Sequence, residues 1–104
     1  MVMNKTELKK LQVKEVLEML ENEFDAQIED NGDGGRLDID INGFHGQFSR
    51  RDLDVAFWDT TKLSGGGWSK EQIQRQKDAV ALEDGVNGAI QERLKQLSGL
   101  AYQG

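Results

Sequence analysis

Arg36-Leu37-Asp38-Ile39-Asp40-Ile41-Asn42-Gly43-Phe44-His45-Gly46-Gln47-Phe48-Ser49 is the stretch on which the fold turns. Apolar and polar residues alternate on both sides of Asn42-Gly43, the period of two that marks a half-buried strand. Asn-Gly between two such runs predicts a type I′ hairpin, because both central residues of that turn need positive φ. Closing the turn there pairs Ile41 with Phe44, so Asp40 faces His45, Asp38 faces Gln47 and Arg36 faces Ser49. Leu37, Ile39 and Ile41 then point together to the opposite face.

Working outward, Leu53, Val55 and Phe57 alternate again after Ser49-Arg50-Arg51-Asp52. On the other side, Phe24 to Asp30 reads as a short strand with Ala26 and Ile28 on one face. The cluster Asn31-Gly32-Asp33-Gly34-Gly35 separates it from the hairpin as a polar turn. Residues 24–58 are therefore expected to form an antiparallel meander of three to four strands.

Helical periodicity flanks the meander. Residues 4–23 carry Val13, Val16, Leu17 and Leu20 at i, i+3, i+4, i+7 spacing, with Leu8 and Leu11 extending the stripe and Phe24 closing it. Asn4 and Glu7 have capping-box spacing at its start. Residues 59–68 form a Gly-rich loop, and Ser69 with Gln72 reads as a second capping box. Residues 69–98 are helical, with Ile73 and Val80 on one short stripe and Val86, Ala89, Ile90, Leu94 and Leu97 on another. Gly85 and Gly88 each disfavour a helix by about 1 kcal/mol, which predicts a kink or break near Glu83-Asp84-Gly85. One long kinked helix or two helices are expected, then a frayed tail over 99–104. The fold class is α+β in a single domain, with the sheet apolar on one face and covered there by the helices.

Composition excludes several chemistries. The chain has 104 residues with 13 Lys+Arg and 19 Asp+Glu, a net charge of −6. There is no cysteine, so no disulfide, thiolate nucleophile or Cys-based metal site. The longest apolar runs, Val55–Trp58 and Ala79–Leu82, fall far short of the ~20 residues of a membrane span. The first residues show no apolar signal region, and a cytoplasmic location is expected. The negative balance argues against direct binding to nucleic acid or anionic membranes, which rests on dense Lys/Arg contacts.

Motifs for catalysis or cofactors fail on inspection. Gly65-Gly66-Gly67-Trp68-Ser69-Lys70 lacks the spacing of a phosphate-binding loop, and reads as a flexible connection that packs Trp58 and Trp68 near the sheet edge. Asp30 to Ile41 puts glycines at two ligand positions of a calcium loop and Ile41 where the bidentate Glu belongs. Ser64 and Ser69 sit in no nucleophile elbow, and His45 is the one histidine. No enzyme activity and no cofactor are expected. Asp38, Asp40 and His45, with Asp54 nearby, are the candidate set for a divalent metal. The same pattern is what the solvated face of an antiparallel sheet shows.

The charge map is the least ordinary feature. Between residues 15 and 40 lie ten acids, Glu15, Glu18, Glu21, Glu23, Asp25, Glu29, Asp30, Asp33, Asp38 and Asp40, against one base, Arg36. A surface this dense resembles the phosphate field of a nucleic acid and is suited to a partner with a basic surface. The expected function is a small acidic protein-binding protein, an inhibitor or decoy of a basic nucleic-acid-binding protein of the kind phages deploy. Trp58 and Trp68 are the loop residues expected to contact that partner. The alternatives are a metal module on the open sheet face and a chaperone-like or structural homodimer joined through Leu94, Leu97, Leu100 and Tyr102. A leading helix and a meander resemble the layout of type III secretion chaperones over about the first half of the chain. That resemblance shares no motif and implies no site residues.

Overall fold

The computed structural model describes residues 4–32, 34–61 and 66–102. Helix α1 (Lys5–Phe24) is followed by strands β1 (Gln27–Glu29), β2 (Arg36–Ile41), β3 (Phe44–Ser49) and β4 (Asp54–Phe57), a short 3-10 turn (Trp58–Thr61), and helix α2 (Lys70–Tyr102). The four strands form one antiparallel sheet in the order β1-β2-β3-β4. The class is α+β, as expected, with both helices on the apolar face.

The hairpin holds the register read from Asn42-Gly43. Ile41 pairs with Phe44, Asp40 with His45, Asp38 with Gln47 and Arg36 with Ser49. Asn42 and Gly43 adopt φ of 54° and 81°, the positive values a two-residue I′ turn requires. One face of the sheet then buries Leu37, Ile39, Ile41, Phe48, Val55 and Phe57. Against it pack Val16, Met19 and Leu20 of α1 and Val86 and Ile90 of α2 in one apolar cluster.

Both helix starts are capped by the residues their spacing suggests. The Asn4 side chain accepts from the Glu7 N–H at 2.8 Å. Ser69 Oγ accepts from Gln72 N–H at 3.1 Å while Gln72 Oε1 accepts from Ser69 N–H at 2.8 Å, a complete reciprocal box. At its far end α1 stops on Asp25 in a left-handed conformation (φ 54°), with Ala26 N–H donating to Leu20 O at 3.1 Å.

Helix α2 is a single helix, one of the two forms expected, and differs from expectation in where it ends and in its inward stripe. It runs unbroken through Glu83-Asp84-Gly85, 33 residues and about 50 Å at 1.5 Å per residue, matching the 57 Å long axis of the molecule. Burial of Val86 and Ile90 and packing of Leu82 on the core outweigh about 1 kcal/mol per glycine. It also continues to Tyr102, so residues 99–102 are helical where a frayed tail was expected; Gln103 and Gly104 lie outside the described residues. Its inward stripe is Ala79, Val86, Ile90 and Leu97, whereas Ile73 and Val80 are 38% and 41% exposed. Residue 80 is one position on from 79 and residue 73 six before it, which puts both about 100–120° off the buried face.

Gly85 and Gly88 are exposed, and a Cβ at either meets nothing within 4 Å. Gly85→Ala and Gly88→Ala are each expected to stabilise the protein by about 0.5–1 kcal/mol, read as a rise in the urea midpoint at unchanged slope. A loss of stability in either variant would show that these glycines serve a conformation other than this continuous helix.

Candidate partner-binding surfaces

The uncovered face of the sheet carries the polar half of each strand. Cross-strand pairing sets Glu29, Asp38, Gln47 and Ala56 in one row and Gln27, Asp40 and His45 in another. Glu29, Asp38, Asp40, His45 and Trp58 line a shallow cleft of about 640 Å³ on this face. Trp58 is 46% exposed there, at the start of the 3-10 turn, and Trp68 is half-buried just before α2. Asp54 stands at the start of β4, opposite Ser49, and does not line the cleft.

The metal candidates are only partly brought together. His45 Nδ1 pairs with Asp40 Oδ2. Asp38 instead accepts from Asn31 Nδ2 at 3.0 Å and Gln47 Nε2 at 3.4 Å. Among the described residues no three His, Asp or Glu side chains form a group able to hold a metal ion.

The turn before β2 is held by its own hydrogen bonds. Asp30 Oδ1 accepts from Gly32 N–H at 2.9 Å, and Asp30 Oδ2 lies 3.4 Å from the Arg50 guanidinium. Arg50 also donates to Gly34 O at 2.6 Å. The Gly32 N–H, seconded by Arg50, holds the Asp30 carboxyl below its ordinary range. Its contribution to folding is present above the ordinary carboxylate pKa and fades as pH falls through the lowered value.

The ten carboxylates of residues 15–40 therefore have different fates. Glu15 is bonded to Arg93 at 2.6 Å, Asp30 to Arg50 and Asp40 to His45, while Asp33 lies outside the described residues. Asp38 accepts from the neutral side chains of Asn31 and Gln47 and makes no ion pair among the described residues. Glu18, Glu21, Glu23, Asp25 and Glu29 make no ion pair among the described residues. Glu18 and Glu23, with Glu92 from α2, line a second cleft of about 440 Å³ over Met19 and Ala89. The last turns of α1 lead through Asp25 directly into the edge strand β1, so the uncommitted acids follow the chain from the helix to the outer sheet face.

Two placements run against the electrostatics of the fold itself. Glu21, Glu23 and Asp25 stand at the carbonyl end of α1, where the helix dipole disfavours negative charge, and no base occupies its last turn. Glu29 and Asp38 are direct cross-strand partners, a like-charge pairing that destabilises a sheet.

A surface of the opposite sign was not anticipated. Lys5, Lys9, Lys10 and Lys14 on the first half of α1, with Arg50 and Arg51 across from them, line a groove of about 860 Å³. The lysines recur at i, i+4 and i, i+5 spacing, a signal present in the sequence but averaged away in the net charge. Of the residues expected to form a homodimer contact, Leu97 is buried and Leu94 packs on the core within this chain; the side chains of Leu100 and Tyr102 are outside the described residues. No helix among the described residues is long and apolar enough to cross a membrane. Compared with models of protein families, with curated proteins and with solved structures, the chain matches none.

Proposed function

We propose that this chain is a non-enzymatic binding protein whose carboxylate-bearing surface, from the second half of α1 to the outer face of β1 and β2, engages a protein partner with a basic surface. The supporting observation is that Glu21, Glu23, Asp25, Glu29 and Asp38 stand where folding disfavours them. A charge set only for solubility would gain by moving off the carbonyl end of a helix and away from a like cross-strand neighbour. Attraction to a cationic partner gives that placement a purpose, steering encounter and fixing orientation. The concrete form is an inhibitor or decoy that occupies the nucleic-acid groove of a basic protein, in the manner of phage counter-defence proteins. Trp58, beside the acidic cleft, supplies an aromatic anchor of the type that carries binding energy at interfaces.

The test compares two triple variants of equal net charge. Glu18→Lys, Glu21→Lys and Glu23→Lys alter the proposed surface; Glu71→Lys, Asp78→Lys and Asp84→Lys make the same change on exposed positions of α2. Asp25 is left alone because its left-handed backbone favours Asp over Lys. Partners captured from native lysate at low salt should be lost with the α1 triple, kept with the α2 triple, and released from the wild type by high salt. The α1 triple should fold at least as stably as the wild type, since Glu21 and Glu23 leave the carbonyl end at a gain of about 0.3–1 kcal/mol each. Equal capture by both triples, or capture indifferent to salt, would overturn the proposal.

A further inference from the structure

We infer that the groove between the first half of α1 and the turns at Gly34-Gly35 and Arg50-Arg51 is a docking site for an acidic amphipathic segment of a partner protein. It is distinct from the acidic surface and does not depend on that reading. Six of the chain's 13 Lys and Arg residues line this one groove, and no carboxylate lines it among the described residues. In a protein of net charge −6 such a gathering opposes the overall balance.

Most of these cations have no internal task. Lys9 Nζ donates to Arg51 O at 2.6 Å, and Arg50 is bonded to Gly34 O and Asp30. The side chains of Lys5, Lys10, Lys14 and Arg51 make no hydrogen bond or ion pair among the described residues. Lys5 lies in the first turn of α1, where the helix dipole disfavours positive charge. Folding therefore explains the position of Lys9 and Arg50 but not that of the other four.

The floor of the groove decides the class of occupant. Val13 and Leu17, half-buried against the core, form its base together with the methylenes of the lysines above them. A phosphate backbone would meet the cations but leave that apolar floor uncovered. A segment with carboxylates on one side and Leu- or Phe-like residues at helical spacing covers both, as in helix-in-groove recognition. The rim charges select the acidic sequence.

Binding of labelled peptides to the full chain tests this. The first probe is a 16-residue amphipathic peptide of Leu and Glu with Leu at i, i+3, i+4 and i+7; the second is a scramble of identical composition. A 20-base-pair DNA duplex and phosphatidylserine vesicles serve as alternative occupants. The patterned peptide should bind at least tenfold more tightly than the scramble. Lys10→Glu with Lys14→Glu and Arg51→Glu should weaken it at least tenfold, and Val13→Ser should weaken it severalfold without changing its salt dependence. The Glu18, Glu21 and Glu23 triple should bind the peptide no more weakly than the wild type, which separates this site from the acidic one. Circular dichroism melts confirm that each variant is folded. Tighter binding of DNA or vesicles, equal binding of the scramble, or no peptide binding would overturn the assignment. So would salt-sensitive self-association abolished by the same Lys and Arg changes, which would give the groove to a second copy.

Discussion

Gly46→Ala is expected to destabilise the protein by about 3 kcal/mol, the upper range for overpacking a core, with a melting temperature lower by roughly 10–20 °C. Gly46 lies mid-strand in β3, opposite Ile39 on one side and Phe57 on the other. A Cβ built there falls 2.2 Å from the carbonyl oxygen of Ala56 and 2.9 Å from the Cα of Phe57. Both are backbone atoms, so no rotamer change relieves the contact. β4 would have to move away from β3, and it carries Val55 and Phe57, two of the core's most deeply buried residues. Gly34→Ala is the control, since a Cβ there meets nothing within 4 Å and should be near neutral. Urea denaturation followed by circular dichroism measures both. A loss below about 1 kcal/mol at Gly46 would mean that β3 and β4 part far more easily than core packing allows.

The sheet was legible because one local signal determined it. Asn42-Gly43 closes a turn of defined length, and a register shift by a single residue would turn Leu37, Ile39 and Ile41 out to water. One helix or two stayed open over 69–98, because the local cost of Gly85 and Gly88 is visible in the sequence while the burial of Val86 and Ile90 under the sheet is not. The offset of Ile73 and Val80 has a similar origin. Near its start α2 is tied to the rest of the fold by Arg75, which donates to Asp59 at 2.9 Å and Gly43 O at 2.9 Å and lies 4.3 Å over the Phe44 ring. Those partners lie 16 to 32 residues away, beyond any periodicity. Charge was legible as a count but not as a map. Arg93 neutralises Glu15 from 78 residues along the chain, and Lys5 to Lys14 become a groove only when Arg50 and Arg51 fold across from them.

Helix α1 thus carries its lysines on its first half and most of its carboxylates on its second, with Lys5 in the first turn and Glu21 and Glu23 in the last set against the helix dipole and Glu7 set with it. Where the two halves meet along the helix, Glu15 is held by Arg93. The fold gathers Lys5, Lys9, Lys10 and Lys14 with Arg50 and Arg51 along one groove, and Glu18, Glu23 and Glu92 along another cleft. Net charge is therefore a poor guide to the local field at either place.

Asn87→Ala is expected to cost about 2–4 kcal/mol, because it strips two partners from the edge of the sheet at once. β4 is the last strand, so the N–H and C=O of Val55 point away from β3 with no strand to receive them. Asn87 takes both: its Oδ1 accepts from Val55 N–H at 2.8 Å and its Nδ2 donates to Val55 O at 3.0 Å. One turn earlier on α2, Glu83 accepts from Phe57 N–H at 3.0 Å. Two side chains at i and i+4 on a helix therefore do the work of a fifth strand and close the edge against pairing with other chains. Alanine at 87 leaves the Val55 groups unpaired where the residue is 2% exposed, so water replaces the lost bonds poorly. Asn87→Asp keeps the acceptor but sets a carboxylate against Val55 O, and should be no better than alanine. Native-state hydrogen exchange gives the sharper readout: the Val55 amide should lose protection in Asn87→Ala by more than the global loss explains, with Phe57 partly shielded by Glu83. The opened edge should also promote self-association that salt does not weaken, unlike the charge-driven contacts proposed for the two surfaces. Unchanged Val55 protection with wild-type stability would show that α2 does not close this edge.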